Sequence, residues 1–387
     1  MKVVLIMDKF KESLSATEVA EAIFSGLSSK NGVSVCSIPL ADGGDGTIEA
    51  LDSMAGFEKV WIDTVDPLGR KITVPVLRQG TRFICEMAQS TALVLLSEQE
   101  RDPLRTSSYG FGSVIKAIAK MGAEEIITGI GGSATNDCGA GMLQALGYRF
   151  YDRNGNIIRG AKQNGEEETE LLPDTLINGG DLADICKIDD ALVPKYVKSL
   201  KITVASDVTN PLIGVYGATR VYGPQKGAGV DAIERLEVGV VNFAGVAEKF
   251  LGSDNSTLSG SGAAGGVGFA LNAFLRAELK PGWRVLFDML DVEEKVRQAD
   301  LIITGEGRVD GQSLSGKLLS GVSAICNKYK KRLWVICGDN LLTERELKRA
   351  GIERLYSVSQ IEPMKELAIK NARQYLYDIA RRLPITN

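Results

Sequence analysis

The two ends of the chain alternate strand and helix whereas the middle does not, and this contrast constrains the fold more than any other feature. Residues 3–7 form a continuous apolar run, which is typical of a parallel strand buried on both faces. The capping-box sequence S-A-T-E at residues 15–18 then predicts the start of an amphipathic helix. The alternation returns near Asp291 and continues to a terminal helix predicted over residues 363–383. We therefore predict one parallel sheet built from both ends.

The middle of the chain indicates antiparallel pairing instead. Short strands at 72–77 and 83–87 are joined by a turn, and a hairpin-like segment at 148–158 carries Asn-Gly at its turn. The sequence thus predicts an α/β fold of two domains, a discontinuous parallel-sheet domain and an inserted mixed α+β domain. The predicted boundaries are 1–70 with 285–387 for the first domain and 71–284 for the second. Ligands are expected in the cleft between them.

The composition narrows the chemistry that this fold can perform. The 387 residues include no histidine, which excludes Ser-His-Asp hydrolysis, Cys-His proteolysis and His-ligated metals. Carboxylate and lysine chemistry remain, as does Mg²⁺ held by oxygen ligands. A net charge of −4 argues against binding to nucleic acid or to an anionic membrane. Six scattered cysteines and the lack of an apolar leader indicate a cytoplasmic protein.

A Gly-rich loop after the predicted strand 125–128 is the strongest local signal. Gly129, Gly131 and Gly132 leave the backbone open to an anion, and hydroxyl and amide donors follow them. The Gly-Lys-Ser/Thr of a P-loop is absent, and a tight turn required by packing is the alternative. Together with a lysine from the segment 223–228, the loop is predicted to bind a phosphate or a carboxylate group. The predicted substrate-binding residues are Ser133, Thr135, Asn136, Asp137 and Lys226.

A second Gly-rich loop follows the predicted strand 301–304. Open α/β sheets bind ligands at the carboxyl ends of parallel strands, so the charged residues of this loop are expected at the reactive edge. A purely structural turn is the alternative. The residues predicted to bind nucleotide phosphates are Gly305, Glu306, Gly307, Arg308 and Lys317. The two carboxylates of the loop, Glu306 and Asp310, are the predicted Mg²⁺ ligands.

Three other predicted strands end in acidic segments. The first strand is followed by Asp8 and Lys11, the second by Asp42, and a later one by Asp207. The acids after the first two strands are explained about as well by a helix cap as by a ligand role. Asp207, followed three residues later by Asn210, could bind a cation or orient a hydroxyl. The Gly-rich segment 260–268 lacks a preceding strand, so a dinucleotide fingerprint is only weakly indicated there, and helix packing is the alternative.

Taken together, these segments resemble the bacterial glycerate kinase family, which includes the glyoxylate-pathway and glucarate-pathway enzymes. The resemblance covers nearly the whole chain. It rests on motifs at residues 10–16, 41–47, 131–137, 207–212, 223–228, 262–266 and 304–308. It implies ATP-dependent phosphorylation of D-glycerate, a requirement for Mg²⁺, and a two-domain fold with a Rossmann-like half. It also favours 2-phosphoglycerate as the product, with the 3-hydroxyl as the alternative acceptor.

The chain departs from the family pattern at three places. Lys9 stands where the family usually has the serine of a Pro-Asp-Ser segment, Cys138 where it has glycine, and Ser315 where it has histidine. The first change removes the usual serine hydroxyl. The last indicates that an imidazole is not essential to the chemistry.

Phosphoryl transfer needs positioning and charge neutralisation more than covalent catalysis, so a chain without histidine can perform it. We expect glycerate in the interdomain cleft, with its carboxylate held by Lys11 or Lys226 and by hydroxyls of the first Gly-rich loop. Asp207 is the first candidate for the base that accepts the proton of the attacking hydroxyl, and Asp42 is the second. The predicted catalytic residues are thus Asp207, Asp42 and Lys11.

Two other classes of function stay open. An oxidoreductase with a dinucleotide cofactor would need G-x-G-x-x-G after the first strand, and residues 8–13 contain no glycine. A non-catalytic, two-lobed carboxylate-binding protein would be expected to carry an export signal. A homodimer is also left open; the partners are otherwise ATP and D-glycerate.

Overall fold

The chain divides into two compact units. The computed structural model describes residues 1–40, 48, 51, 56–159, 176–315 and 317–385. The terminal unit is Met1–Asp42 with Pro281–Asn387, and the inserted unit is Gly43–Lys280. The predicted boundaries at 70 and 285 differ from these. The first differs because the strand Glu58–Val65 pairs along its whole length with the strand Lys71–Gln79, which places both in the inserted unit.

The described strands and helices are as follows. The strands are β1 (Lys2–Met7), β2 (Ser34–Pro39), β3 (Glu58–Val65), β4 (Lys71–Gln79), β5 (Arg82–Glu86), β6 (Glu125–Gly129), β7 (Arg149–Tyr151), β8 (Lys187–Asp189), β9 (Lys201–Ala205), β10 (Glu278–Lys280), β11 (Leu301–Gly305), β12 (Arg308–Val309), β13 (Arg332–Cys337), β14 (Asp339–Asn340) and β15 (Ile352–Ser357). The α-helices are α1 (Ala16–Ser28), α2 (Ala88–Thr91), α3 (Tyr109–Lys120), α4 (Ala140–Leu146), α5 (Lys195–Lys198), α6 (Ala218–Tyr222), α7 (Val230–Leu251), α8 (Val267–Leu275), α9 (Gly282–Met289), α10 (Val292–Arg297), α11 (Leu318–Tyr329), α12 (Glu344–Arg349), α13 (Lys365–Lys370) and α14 (Ala372–Arg382). Short 3₁₀ helices cover Leu93–Leu95, Glu98–Glu100, Gly179–Asp184, Pro224–Lys226, Ala263–Gly266 and Val358–Gln360. None of the described helices is both long enough and apolar enough to cross a bilayer.

The terminal unit is built on a parallel sheet with strand order β15-β13-β11-β1-β2. β1 lies between β2 and β11, and Met7 stands opposite Gly305 of β11. Because the chain moves to one side of β1 first and to the other side later, the strand order reverses between β1 and β11. Ligands of open α/β sheets bind at the carboxyl ends of strands at such a reversal. The prediction of one parallel sheet built from both ends of the chain is confirmed.

Helix α1 begins as its sequence predicts. Ser15 and Glu18 form both hydrogen bonds of the capping box. Val19, Ile23 and Leu27 are fully buried against the sheet. The apolar face of the helix, spaced at four residues, therefore supplies one layer of the core of the terminal unit.

The C-terminal helix differs from its prediction. One helix is predicted over 363–383, but the structure has α13 and α14, which meet at Asn371 with φ −109° and ψ 17°. α14 buries Leu376 and Ile379, whereas α13 buries none of its residues and contacts the core only through the partly buried Ala368. α14 lies so close to α1 that a Cβ on Gly26 would stand 2.6 Å from the carbonyl oxygen of Tyr377.

The inserted unit contains a mixed sheet with strand order β10-β9-β6-β5-β4-β3. β3, β4 and β5 are antiparallel, as predicted, whereas β5, β6, β9 and β10 are parallel. Phe111 and Phe243, from α3 and α7, are buried in the same core as Phe83 of β5. The parallel half of this sheet brings the carboxyl ends of β6 and β9 side by side.

The hairpin predicted at 148–158 is confirmed at one bridge only, between Tyr151 and Ile157. β7 pairs with β8 instead, in antiparallel register. The carboxylate of Asp152 accepts two backbone N–H groups of the intervening turn, each at 2.8 Å. These local hydrogen bonds close the chain into a tight loop. The backbone groups of β7 therefore pair with β8, which comes later in the chain.

Candidate active site

The first Gly-rich loop leaves the inserted unit at the carboxyl end of β6. Gly129, the last residue of β6, stands in register with Glu86 of β5 and Ala205 of β9. The loop then runs to Gly139, after which α4 begins. Parallel strands therefore deliver this loop to the edge at which open α/β sheets bind ligands.

Asp137 holds the loop together from inside. Its carboxylate accepts the backbone N–H and the hydroxyl of Ser108, both at 2.7 Å, and the N–H groups of Gly139 at 3.0 Å and Gly141 at 3.3 Å. Burial raises the pKa of Asp137, and these hydrogen bonds oppose the shift because they favour the ionised form. Since Asp137 is fully buried, its role in the structure is to tie the loop to the start of α3 and α4.

Lys226 is buried beneath the same loop, with 2% of its surface exposed. Its Nζ donates to the hydroxyl of Ser133 at 2.9 Å and to the carbonyl oxygen of Thr135 at 2.7 Å. Burial lowers the pKa of Lys226 to about 7, and the charge of Asp137 opposes this shift. Lys226 is predicted from the sequence to bind the substrate, and in this structure its Nζ contacts the Gly-rich loop itself.

Two predicted donors of the loop carry unsatisfied buried atoms. Within the described part of the chain, the hydroxyl of Thr135 and the side-chain oxygen of Asn136 have no hydrogen-bond partner. The amide nitrogen of Asn136 donates to the hydroxyl of Thr219 at 2.9 Å. Both side chains are fully buried, so neither reaches the surface of the inserted unit. In this structure the two side chains are therefore enclosed within the inserted unit.

The Gly-rich segment 262–266 packs on the inner side of this loop. Cys138 has a φ of 52°, and its N–H donates to the carbonyl oxygen of Gly265 at 3.0 Å. A Cβ on Gly265 would collide with the carbonyl oxygen of Thr135. Gly265 is therefore explained by the close approach of two loops, and not by the helix packing given as the alternative.

Asp207 lies two residues beyond the end of β9 and is exposed. Because Ala205 of β9 stands in register with Gly129, Asp207 follows the strand end beside the first Gly-rich loop. The side-chain amide of Asn210 makes two hydrogen bonds within the protein. It donates to the carbonyl oxygen of Tyr216 at 2.9 Å and accepts from the hydroxyl of Tyr222 at 2.8 Å. Asp207 is thus the exposed acid of this loop, whereas Asn210 shapes it.

In the terminal unit, glycines allow the loops after β1, β11 and β13 to meet. The N–H of Asp8 donates to the carbonyl oxygen of Gly305 at 3.0 Å. A Cβ on Gly305 would collide with the carbonyl oxygen of Ile336, and one on Gly307 would lie 3.2 Å from the backbone nitrogen of Lys11. The predicted second Gly-rich loop therefore packs directly against the loop that carries Asp8 and Lys11.

Glu306 is half-buried at this edge. Burial raises its pKa, the hydroxyl of Ser313 and the charge of Lys317 lower it, and the charge of Asp310 raises it further. The Oδ1 of Asp310 accepts the N–H groups of Gln312 at 2.9 Å and Ser313 at 3.3 Å, so this acid also caps its own turn. The two carboxylates are close enough to repel one another.

These two acids fit a divalent cation bound together with phosphates. The described residues contain no group of three or more Asp, Glu or Cys side chains arranged to hold a metal by themselves. Mg²⁺ is commonly held by one or two carboxylates, with phosphate and water oxygens completing its coordination. The repulsion between Glu306 and Asp310 is what such a cation would relieve.

The remaining predicted residues fall into two groups. Arg308, Lys317 and Lys11 are exposed, all in the terminal unit. Arg308 begins β12, and Lys317 immediately precedes α11. Asp42 and the loop 41–47 lie outside the described residues.

Sequence reasoning missed two residues that shape these loops. Ser108 binds Asp137 from a different part of the chain, and no local pattern marks it. Asp339 follows β13 and accepts from the hydroxyl of Ser359 at 2.9 Å. The segment Cys337-Gly338-Asp339 repeats the strand-glycine-acid pattern of residues 301–306, so this pattern could have identified Asp339.

Comparison with known proteins agrees with the resemblance noted in the sequence. The sequence model of the Glycerate kinase family matches residues 3–386. A glycerate kinase of Bacillus subtilis is 38% identical over 98% of this chain and 96% of its own length. A glycerate 2-kinase of Escherichia coli is 41% identical over 92% of this chain and 90% of its own. A crystal structure assigned to glycerate kinase 2 from Salmonella typhimurium LT2 superimposes with a TM-score of 0.83 at 39% identity, over 99% of this chain and 97% of that one. The chain therefore belongs to the glycerate kinase family.

Proposed function

We propose that this protein transfers the γ-phosphoryl group of ATP to the 2-hydroxyl of D-glycerate. The observation that carries the proposal is the set of charged groups at the strand-order reversal of the terminal unit, where Glu306, Asp310 and Lys317 interact. Phosphoryl transfer requires such a set, because the developing charge must be neutralised and the phosphates oriented. The Escherichia coli relative named as a glycerate 2-kinase supports glycerate as the acceptor and its 2-hydroxyl as the reacting group.

We assign nucleotide binding to the terminal unit. Backbone groups of Gly305 and Gly307, with the exposed cations Arg308 and Lys317, are suited to the phosphates. Glu306 and Asp310 would hold Mg²⁺, which supplies charge neutralisation at the phosphate oxygens. In this role Glu306 must be ionised, and Lys317 and the Ser313 hydroxyl both favour that form.

We assign substrate binding to the first Gly-rich loop of the inserted unit. Lys11 of the terminal unit is exposed and is the alternative to Lys226 as the cation for the glycerate carboxylate. Lys226 is buried and bonded to Ser133 and Thr135, so its role is to hold the loop in place and to give the site positive charge when protonated. Asn136 and Asp137 keep the loop in shape from beneath.

Asp207 is the proposed base. It is exposed at the carboxyl end of β9, beside the loop that we assign to the substrate. A carboxylate there can accept the proton of the attacking hydroxyl as the phosphoryl group is transferred. Asp42 remains the second candidate.

The test is to mix the protein with ATP, Mg²⁺ and D-glycerate, to follow ADP, and to identify the product by ³¹P NMR. We expect ADP only when all three are present, 2-phosphoglycerate as product, and loss of turnover when a chelator removes Mg²⁺. 3-Hydroxypropionate, which lacks the 2-hydroxyl, is the matched control and should not be phosphorylated. Formation of 3-phosphoglycerate would overturn the acceptor assignment. Tight binding of glycerate without ADP would favour a carboxylate-binding protein instead.

We also propose a cytoplasmic location. All six cysteines are free thiols, which is what a reducing compartment maintains. Mass spectrometry of alkylated protein from unbroken cells should find them reduced, and a disulfide would contradict the proposal.

A further inference from the structure

β3 forms one edge of the six-stranded sheet of the inserted unit. β3 (Glu58–Val65) is the last strand in the order of the six-stranded sheet, and among the described residues it pairs with β4 alone. An edge strand presents a row of N–H and C=O groups to which another strand can add. Proteins usually protect such edges with a short strand, a proline, a bulge or charged side chains. β3 is eight residues long and has no proline, and its exposed charges are those of Glu58, Lys59 and Asp63.

The two faces of β3 differ sharply. Val60 and Ile62 point toward the core of the inserted unit, where Ile62 is buried, and the Thr64 hydroxyl donates to the carbonyl oxygen of Gly110 at 2.7 Å. Trp61, on the opposite face, is 61% exposed. An indole in the middle of an edge strand is a large apolar surface at the place where strands add, and such side chains are enriched at protein interfaces.

The charged residues on either side of Trp61 are complementary to the same two residues of a second copy. Lys59 and Asp63 are both exposed and lie on the same face as Trp61, two residues to either side. If a second copy of β3 pairs in antiparallel register centred on Trp61, Lys59 of each copy stands opposite Asp63 of the other. Directly opposite side chains of unlike charge stabilise a strand pair, and like charges destabilise it.

Other registers lose this match. A shift by one residue sets Glu58 opposite Asp63 and turns the core face of one strand toward the exposed face of the other. A shift by two sets Trp61 opposite Lys59 or Asp63 and removes the pairing of unlike charges. The register centred on Trp61 also retains nearly the full length of the strand.

We propose that two copies of this chain associate through their β3 edges, in antiparallel register about a twofold axis at Trp61. The two six-stranded sheets then form one continuous sheet, and the two indoles meet across the axis. The contact consists of one strand and the residues around it, so it is small. We therefore expect the fraction of dimer to depend on protein concentration. The partner is therefore the β3 edge of a second copy, which carries the same charged residues.

Sedimentation velocity over a wide range of concentration tests the proposal through a charge exchange. Asp63→Lys places Lys59 opposite a lysine in both symmetric pairs and should weaken dimerisation roughly ten- to hundredfold. The double variant Lys59→Glu, Asp63→Lys restores unlike pairs and should recover most of the loss. Lys59 also has an interaction within its own chain, so Lys59→Glu alone is measured as well. Kinase turnover of each variant, compared with that of the original protein, shows that it is folded.

Disulfide trapping tests the register. In a strand pair centred on residue 61 the two Cα atoms at that position are about 4.5 to 5.5 Å apart, within the range that a disulfide spans. Trp61→Cys, with the exposed Cys186 changed to serine, should therefore cross-link to its own copy when an oxidant accepts the two electrons. Val94→Cys in the same background is the control, because Val94 is 86% exposed in the same unit.

Three results would overturn the proposal. They are a chain that is monomeric at every concentration, a dimer that Asp63→Lys leaves unchanged, and cross-linking at residue 61 that is no faster than at residue 94. None of these outcomes bears on the kinase assignment, since β3 contributes no proposed site residue.

Discussion

The two Gly-rich loops share a sequence pattern but place their charged side chains differently. In the inserted unit Asp137 and Lys226 are buried and make hydrogen bonds within the loop. In the terminal unit Glu306 is half-buried and Lys317 is exposed. Buried charged side chains therefore stabilise the conformation of a loop, whereas charged side chains at the strand edge can contact a ligand. Substitutions at the two kinds of position should affect stability and catalysis to different degrees.

The largest effect is expected at Asp207, an exposed acid beside the buried loop. Asp207→Asn removes the proposed proton acceptor and should lower kcat by about 10²- to 10⁴-fold. Thermal stability should change little, because the side chain is exposed. Steady-state kinetics with ATP and glycerate checks this. Asp231→Asn, at an exposed acid in the first turn of α7, is the control and should retain full turnover. An Asp207→Asn enzyme with normal kcat would exclude Asp207 as the base.

Asp137 should matter chiefly for stability. Asp137→Ala leaves buried N–H donors of the loop without an acceptor and should lower the free energy of unfolding by about 3 kcal/mol. Urea denaturation followed by circular dichroism measures the change. Asp184→Ala, at an exposed acid of the same unit, should stay within about 0.5 kcal/mol of the original protein. If the two variants are equally stable, the anchoring role of Asp137 is wrong.

Lys226 links the two kinds of effect. Lys226→Met leaves the Ser133 hydroxyl and the Thr135 carbonyl without their donor and should lower kcat/KM roughly tenfold. The exposed Lys198, which pairs with Asp190, supplies the control Lys198→Met. No change in kcat/KM would show that the loop does not need the buried lysine.

The same lysine predicts a pH dependence of stability. Its folded pKa is about 7, below the ordinary value of 10.5, so between these values the unfolded chain binds the proton that the folded protein has lost. Stability contributed by this residue should therefore rise with pH from about 7 toward 10.5 and be constant below that window. As pH rises across this window, the melting temperature of the original protein should increase relative to that of Lys226→Met. A constant difference would contradict the lowered pKa.

The effect expected at Glu306 is confined to the Mg²⁺ requirement. Glu306→Gln removes one proposed Mg²⁺ ligand and should raise the Mg²⁺ concentration for half-maximal activity roughly tenfold. Since burial raises the pKa of Glu306, Mg²⁺ affinity of the original protein should also weaken as pH falls, and the glutamine variant should lose that dependence. Titration of activity with Mg²⁺ at several pH values measures both. Glu353→Gln, on β15, is the control. An unchanged Mg²⁺ requirement would remove Glu306 from the metal site.

Much of the fold could be predicted because it is encoded locally. The apolar run of β1 and the capping box of α1 predict their elements within a few residues, and the return of the same alternation near Asp291 predicts the discontinuous unit. The break at Asn371 and the pairing of β7 with β8 could not be predicted. Both depend on which distant segments pack together, which no short pattern records.

The segments that form the candidate site could be predicted from the sequence, but the burial of their charged side chains could not. Strand-glycine-acid patterns identified the loops at 131–137 and 305–310, since ligands bind where parallel strands end. The same patterns could not show that Asp137 is enclosed, because its partner Ser108 comes from a distant part of the chain. Residue type predicts chemistry, whereas solvent exposure is a property of the assembled fold.

The position of β1 in the middle of the terminal sheet has a consequence for how the protein is made. Val3 needs Leu301 as a neighbour, yet the whole inserted unit leaves the ribosome between them. At ordinary elongation rates of about 5 to 20 residues per second, β1 and β2 wait roughly 10 to 50 s for β11. The half that starts translation first is thus the last to be completed, and until then its apolar strand is a natural target for chaperones.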